Sequence, residues 1–310
     1  MQVKLKGRAK ALWRKMDKIQ RAESRPARRR LVRNRTMRKM LSNKLSVVGL
    51  CVFLIILLST IFAPLISPYE PGKINLKETL QPPSWTHPFG TDKLGRDVFS
   101  RVLYGGRVSI LVGLGSALGA AAVGVALGSY CGYRGGWLDK LVMRVSEVFM
   151  AFPQIILVLL LVSLTGQSLG NLLLIFILTG WGSIYRMARA KMLSLREEEY
   201  VQALHAFGVS NFKICYKHML PNAVGPIAVN ITLSTAMFIL QETALSFLGL
   251  GVPVQIATWG NIINVANDLT VLQNYWWIWL PVGCVISLFV LGVNFMGDGL
   301  RDSTDPTQSG

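Results

Sequence analysis

The residues able to carry chemistry are few in this chain, and their spacing does not assemble them. Its four cysteines, Cys51, Cys131, Cys215 and Cys284, show no CxxC spacing, and its three histidines, His87, His205 and His218, are scattered. A structural or catalytic zinc needs such ligands in close pairs, and neither that pattern nor an HExxH or GxSxG sequence occurs. A single histidine makes no metal site, so His218 reads as local packing. Three of the cysteines lie in or beside apolar stretches, and the set reads as small buried hydrophobes. No GxxxxGKS/T loop is present to cradle phosphates, so ATP hydrolysis is not expected of this chain. Two groups of charges remain: Glu242, alone in an apolar run, and the acids Glu197, Glu198 and Glu199 at the start of a polar loop.

The elements around them are set by composition. Of 310 residues, 51% are hydrophobic and 16% charged, too apolar for a soluble domain, whose charged fraction is about a quarter. Crossing a hydrocarbon core takes about 20 helical residues. Six stretches meet that need: Leu45 to Ile66, Val108 to Tyr130, Val145 to Leu164, Leu169 to Ile184, Ala223 to Leu248 and Trp277 to Met296. Only the turn-like Thr165 to Ser168 separates the third from the fourth. Backbone in lipid must satisfy its own hydrogen bonds, and these lengths exclude strands, so the expected fold is an all-α membrane protein with six transmembrane helices. Gly113, Gly115, Gly119, Gly124 and Gly128 in the second span predict close helix contact.

Orientation follows from the cations. Seventeen of the 33 Lys and Arg residues precede Leu45, against Asp17 and Glu23 there. With the N-terminus inside, 27 of the 33 fall on the cytoplasmic side, and both termini are cytoplasmic. The basic tail, residues 1–44, reads as a topology anchor, with contact to anionic lipid or a partner as the alternative; it ends where the first span begins, which argues against nucleic acid. A secretory signal is not expected, because the first apolar run starts late and is long. The external segment, residues 67–106, carries Pro68, Pro71, Pro82, Pro83 and Pro88 and predicts an irregular excursion on the outer face, followed by helical character over Phe99 to Leu114. Within it, Gly90, Asp92, Gly95, Arg96 and Asp97 read as a capped turn with local ion pairs. Trp276, Trp277 and Trp279 mark the outer boundary of the sixth span. A five-helix core, residues 107–298, and a cytoplasmic tail, residues 299–310, complete the division.

Glu242 is the only carboxylate of the fifth span, and a charge in hydrocarbon is costly. It has three readings: a structural hydrogen-bond partner, a place near a translocation path, or a proton carrier. Residues 194–222, between spans four and five, predict a helix-turn-helix. Acids at Glu197 to Glu199 suit a helix start, Gly208 a helix stop, Ser210 or Asn211 a cap, and Pro221 a break before span five. Such a hairpin either docks a partner or rests on lipid headgroups.

The loop resembles the EAA loop of ABC importer permeases. Gln202, Ala203 and Leu204 take the Glu-Ala-Ala places, Gly208 the glycine four residues on, and Leu220-Pro221 the close. Gln202 and Leu204 depart from the pattern, and Glu199 stands three residues upstream on a similar helix face. The segments His87 to Asp97, Ala244 to Gly251, Ala257 to Gly260 and Asn294 to Asp302 with Asp305-Pro306 resemble the dipeptide, oligopeptide and nickel group of these permeases, specifically the second of the two that such systems pair. The resemblance implies a peptide importer in a bacterial-type cell membrane, with a homologous second permease, two cytoplasmic ATPase subunits and an external solute-binding protein. ATP and Mg would sit on the ATPase subunits, with no cofactor on this chain. Coupling would run through Glu199, Gln202, Ala203, Gly208, Leu220 and Pro221, moving spans four and five. The turn from Gly90 to Asp97 would then have gating or binding-protein contact as its other reading. A proton-coupled secondary transporter is the rival, with Glu242 its one candidate relay residue; a membrane enzyme would need the missing constellations.

Overall fold

The computed structural model describes residues 40–304, so the basic tail before residue 40 and the last residues of the C-terminal tail lie outside the described residues. Among the described residues the chain is helical, with one isolated bridge pairing Thr91 and Asp97. Five helices are long and apolar enough to cross a membrane: α1 (Lys44–Ile61), α2 (Val98–Arg134), α5 (Leu169–Arg196), α7 (Asn211–Phe247) and α10 (Trp276–Thr304). Between α2 and α5 lie α3 (Gly136–Ala151) and α4 (Gln154–Thr165). The short helices α6 (Glu199–Ala206), α8 (Trp259–Ile263) and α9 (Leu269–Asn274) lie in the connections.

The third expected span is not one straight helix. Residues α3 and α4 meet at 90°, with Phe152 extended before Pro153. A proline ring excludes the helical conformation from the residue before it, and so the helix must end there. With 12 residues, α4 is about 18 Å long and cannot cross about 30 Å of hydrocarbon alone. The chain therefore has five continuous spans, or six if this bent pair counts as one. Thr165 to Ser168 is a turn as expected: Gly166 has a φ of 84°, and Ser168 Oγ accepts from Asn171 N–H at 3.0 Å to cap α5.

The second span also differs. The helical character expected over Phe99 to Leu114 is present as the start of α2, whose 37 residues extend about 55 Å and run past the expected boundary at residue 106. Asp97 sets this start, its carboxylate accepting from the backbone N–H and the hydroxyl of Ser100 at 2.7 and 2.6 Å. Likewise α10 continues to Thr304, through the boundary expected at residue 298.

Glycines let the bundle close. A Cβ at Gly124, Gly128 or Gly132 would lie 2.5–2.7 Å from the carbonyl oxygens of Trp181, Tyr185 or Arg189, so α2 and α5 touch backbone to backbone along a four-residue repeat. Gly49 and Gly292 do the same for α1 and α10. Cys131 and Cys215 are buried, whereas Cys51 and Cys284 are exposed, against the expectation of four buried thiols. Both lie on long apolar helices, where a face turned outward need not be polar in a lipid solvent.

Candidate functional site

The hairpin between α5 and α7 is built from one anchored face and one bare face. Val201 is fully buried and packs with Met192 and Leu195 of α5 and with Ile214, Cys215 and Met219 of α7. Glu199, Gln202, Ala203 and Ala206 are exposed, as is Gly208. The turn is a Schellman motif: Gly208 N–H donates to the His205 carbonyl at 2.9 Å, and Val209 N–H to the Leu204 carbonyl at 3.1 Å. Gly208 holds a φ of 72°, so this turn needs glycine for its backbone alone. Phe207 (44% exposed) and Phe212 (69% exposed) stand on either side of it. Ser210 precedes the second helix in extended conformation but makes no side-chain cap.

Two details correct or explain the sequence reading. Pro221 does not break the chain: α7 runs through it, and the preceding residues Ile214–Met219 form a π-helical turn. Proline has no N–H for the carbonyl four residues back and its ring crowds that oxygen; widening the preceding turn makes room without ending the helix. Gln202 Nε2 donates to the Glu197 carbonyl at 3.2 Å, closing the C-terminus of α5. A carboxylate there has no hydrogen to donate, so this departure from the Glu-Ala-Ala pattern has a local use. Leu220 is partly buried against the same cluster as Val201, and Pro221 is exposed. Tyr200 on α6 accepts from Asn222 Nδ2 at 3.1 Å, joining the two halves of the expected site.

Sequence reasoning missed two anchors. Tyr133, in the last turn of α2, reaches His205 and Asn211 of the hairpin at 2.7 and 3.1 Å. Arg189 of α5 makes a two-pronged ion pair with Asp139 of α3 at 2.5 and 2.6 Å, and the Tyr185 hydroxyl donates to Asp139 at 3.2 Å. The available signal was a polar side chain at the end of an apolar span; its partners are 46 to 78 residues away.

Glu242 is 0% exposed in α7. Ser109 of α2 and Ser246 donate to its two oxygens at 3.2 and 2.9 Å, and Ser109 Oγ accepts from Trp259 N–H at 3.1 Å. The carboxyl group thus ties α7 to α2 and, through Ser109, to α8. Replacing Glu242 with glutamine keeps groups that can bond both serines, and stability close to native is expected. Leucine strands both hydroxyls and should lower stability by about 1–3 kcal/mol in a denaturation series. Loss of transport in a stably folded Glu242→Gln variant would instead mark the carboxyl group as acting in transport.

The stretch from Gly90 to Asp97 forms a capped turn with local ion pairs. Asp92 accepts from the N–H groups of Leu94 and Arg96 at 2.9 and 3.0 Å and pairs with Arg96 Nε at 2.7 Å. His87 Nδ1 lies 2.9 Å from Asp97. Gly90 and Gly95 have φ of 65° and 69°, and a Cβ at Gly95 would overlap the Asn75 carbonyl at 1.8 Å. The turn packs on Trp277 at the start of α10. Lys93 pairs with Asp268, and the ammonium holds that carboxyl below the usual carboxylate range. Both partners of that pair are exposed, so it contributes little to stability.

Five long apolar spans around a glycine-packed α2–α5 seam, with a packed hairpin bare on one face, define a multi-pass membrane protein. The chain belongs to the family of binding-protein-dependent transport system inner membrane components, whose model matches residues 124–307. Residues 33–83 match the N-terminal transmembrane domain of oligopeptide transport permease C. Relatives include a putative peptide permease protein of Brucella suis biovar 1, 40% identical over 88% of this chain and 90% of its own. The oligopeptide transport system permease protein OppC of Bacillus subtilis is 40% identical over 87% of this chain and 88% of its own. The dipeptide transport system permease protein DppC of Alkalihalophilus pseudofirmus matches at the same identity and shares.

Proposed function

We propose that this permease subunit conducts di- and oligopeptides inward, with both termini in the cytoplasm and the α6–α7 hairpin docked in a cleft of an ABC ATPase subunit. The observation that carries the coupling role is the hairpin's two-sidedness. Val201 fixes α6 to the ends of α5 and α7, leaving Gln202, Ala203, Phe207 and Phe212 bare on a turn of fixed shape. A fixed, partly aromatic projection suits a protein cleft, because ordering costs were met on folding. The peptide substrate rests on the relatives' names, and the orientation on the cations, which crowd residues 1–44 and 186–217.

In this reading, closure of two ATPase subunits on ATP and Mg moves the hairpin as a rigid body. A homologous second permease completes the path, and an external solute-binding protein delivers peptide. Residues 1–44 anchor topology on the cytoplasmic face and contact membrane lipid; nucleic acid has no role. The Glu242 surroundings favour this over proton coupling, since its two oxygens are engaged by serine hydroxyls in a buried interior and, among the described residues, no charged group acts on it to continue a relay.

Reconstituted vesicles test the reading. Uptake of a radiolabelled tripeptide is expected only with the partner permease, the binding protein, the ATPase subunits and ATP together. Uptake by this chain alone under a proton gradient would sink it.

A further inference from the structure

We propose that Tyr133 is a positioning residue that carries movement of the hairpin into α2, the second span. The proposal rests on the coupling role given to α6. A loop joined covalently to α5 and α7 can pull on those two spans directly, whereas α2 has no chain connection to it. Tyr133 supplies one. It is 5% exposed, in the last turn of α2, within the cluster that also buries Val201, Ile214 and Met219.

Its hydroxyl lies 2.7 Å from His205 Nε2 on α6 and donates to Asn211 Oδ1, at the start of α7, at 3.1 Å. A phenol has one hydrogen, and Asn211 Oδ1 only accepts. The hydrogen of the His205 bond therefore sits on Nε2, and the two bonds run in series from α6 through Tyr133 to α7. The Tyr133 and His205 rings also stack, 5.7 Å between centroids and 14° from parallel. Arg196, the last residue of α5, donates to the Tyr133 carbonyl at 3.4 Å. Next to it, Gly132 seats α2 against the backbone of Arg189.

The ends of α2 and α5, α6 and the start of α7 therefore meet on one residue, through its hydroxyl and its carbonyl. Other bonds join α2 to α7, from Tyr216 to the Ala126 carbonyl and from Cys215 to the Ser129 carbonyl. The hydrogen bond from α2 to α6 itself is made by Tyr133. Directional bonds resist sliding that apolar contact allows, so α6 and α2 are expected to move as one body.

The test uses the assembled transporter in nanodiscs, with Cys51 and Cys284 replaced by serine. One spin label is placed at Trp85, and the other at Ala206 on α6 or Arg134 on α2. In the parent complex, ATP with vanadate should change both distances. In Tyr133→Phe, which keeps the ring but removes both bonds, the Ala206 distance should still change and the Arg134 distance should not. Peptide carried per ATP hydrolysed should fall about tenfold. His205→Ala should behave alike, and His205→Gln, which retains a donor at similar reach, should restore coupling. Parent-like movement at Arg134 in Tyr133→Phe overturns the proposal. Loss of ATPase co-purification in that variant also overturns it, because Tyr133 would then serve docking. An Ala206 label that ignores ATP in the parent removes the coupling role of α6, and the strut with it.

Discussion

Gly208→Val is expected to abolish co-purification of the ATPase subunits while the protein still inserts and folds. The φ of 72° at Gly208 lies where a β-branched side chain is strained, by about 1–2 kcal/mol or more. Space is not the objection, since a Cβ there would meet nothing within 4 Å. The strain must be relieved by unwinding the turn, which breaks the bonds from Gly208 and Val209 to the C-terminal end of α6 and re-aims Phe207 and Phe212. Insertion should survive, because none of the membrane-crossing packing depends on this residue. Gly249→Val is the control: its φ is 77°, its surroundings are equally open, and it lies past the other end of α7. It should show comparable strain with ATPase binding intact. Undiminished co-purification in Gly208→Val would overturn the coupling assignment.

Gly128→Leu should prevent folding of the bundle rather than impair one step of transport. A Cβ there would stand 2.5 Å from the Tyr185 carbonyl oxygen, 2.9 Å from the Ala188 Cβ and 3.1 Å from the Arg189 nitrogen. These are mostly backbone atoms of α5 and cannot rotate away, so the helices must part along the seam that Gly124 and Gly132 share. Overpacking costs about 1–3 kcal/mol where side chains can yield, and more is expected here. The monodisperse peak in detergent size-exclusion chromatography should be lost. Gly115→Ala on the same helix should be tolerated or mildly stabilising. Its new methyl would meet only the tip of Leu173 at 3.3 Å, and alanine gains about 1 kcal/mol of helix propensity. Equal behaviour of the two variants would refute the close-contact account.

The helical class and most spans were legible because lipid leaves the backbone few options, and apolar length alone reports a crossing helix. Glycines of the second span were legible as a contact face, and the turn at Gly208 as a helix stop, since both are local signals. Two of the errors came from prolines. Pro153 and Pro221 are the same residue type, yet one bends the chain by 90° and the other sits in a continuous helix. The sequence marks the missing N–H but not whether a neighbouring π turn will absorb it.

By itself, then, the sequence determined an all-helical membrane protein, the location of its one polar hairpin, and the motifs that mark its family. The tertiary structure alone decided which side of that hairpin is bare, what Glu242 touches, and that Tyr133 joins α2 to it. Spans and turns follow from patterns a few residues long, which solvent and backbone sterics dictate directly. The Tyr133–Asn211 and Ser109–Glu242 contacts join residues 78 and 133 positions apart, and only the packing of whole helices fixes such distances.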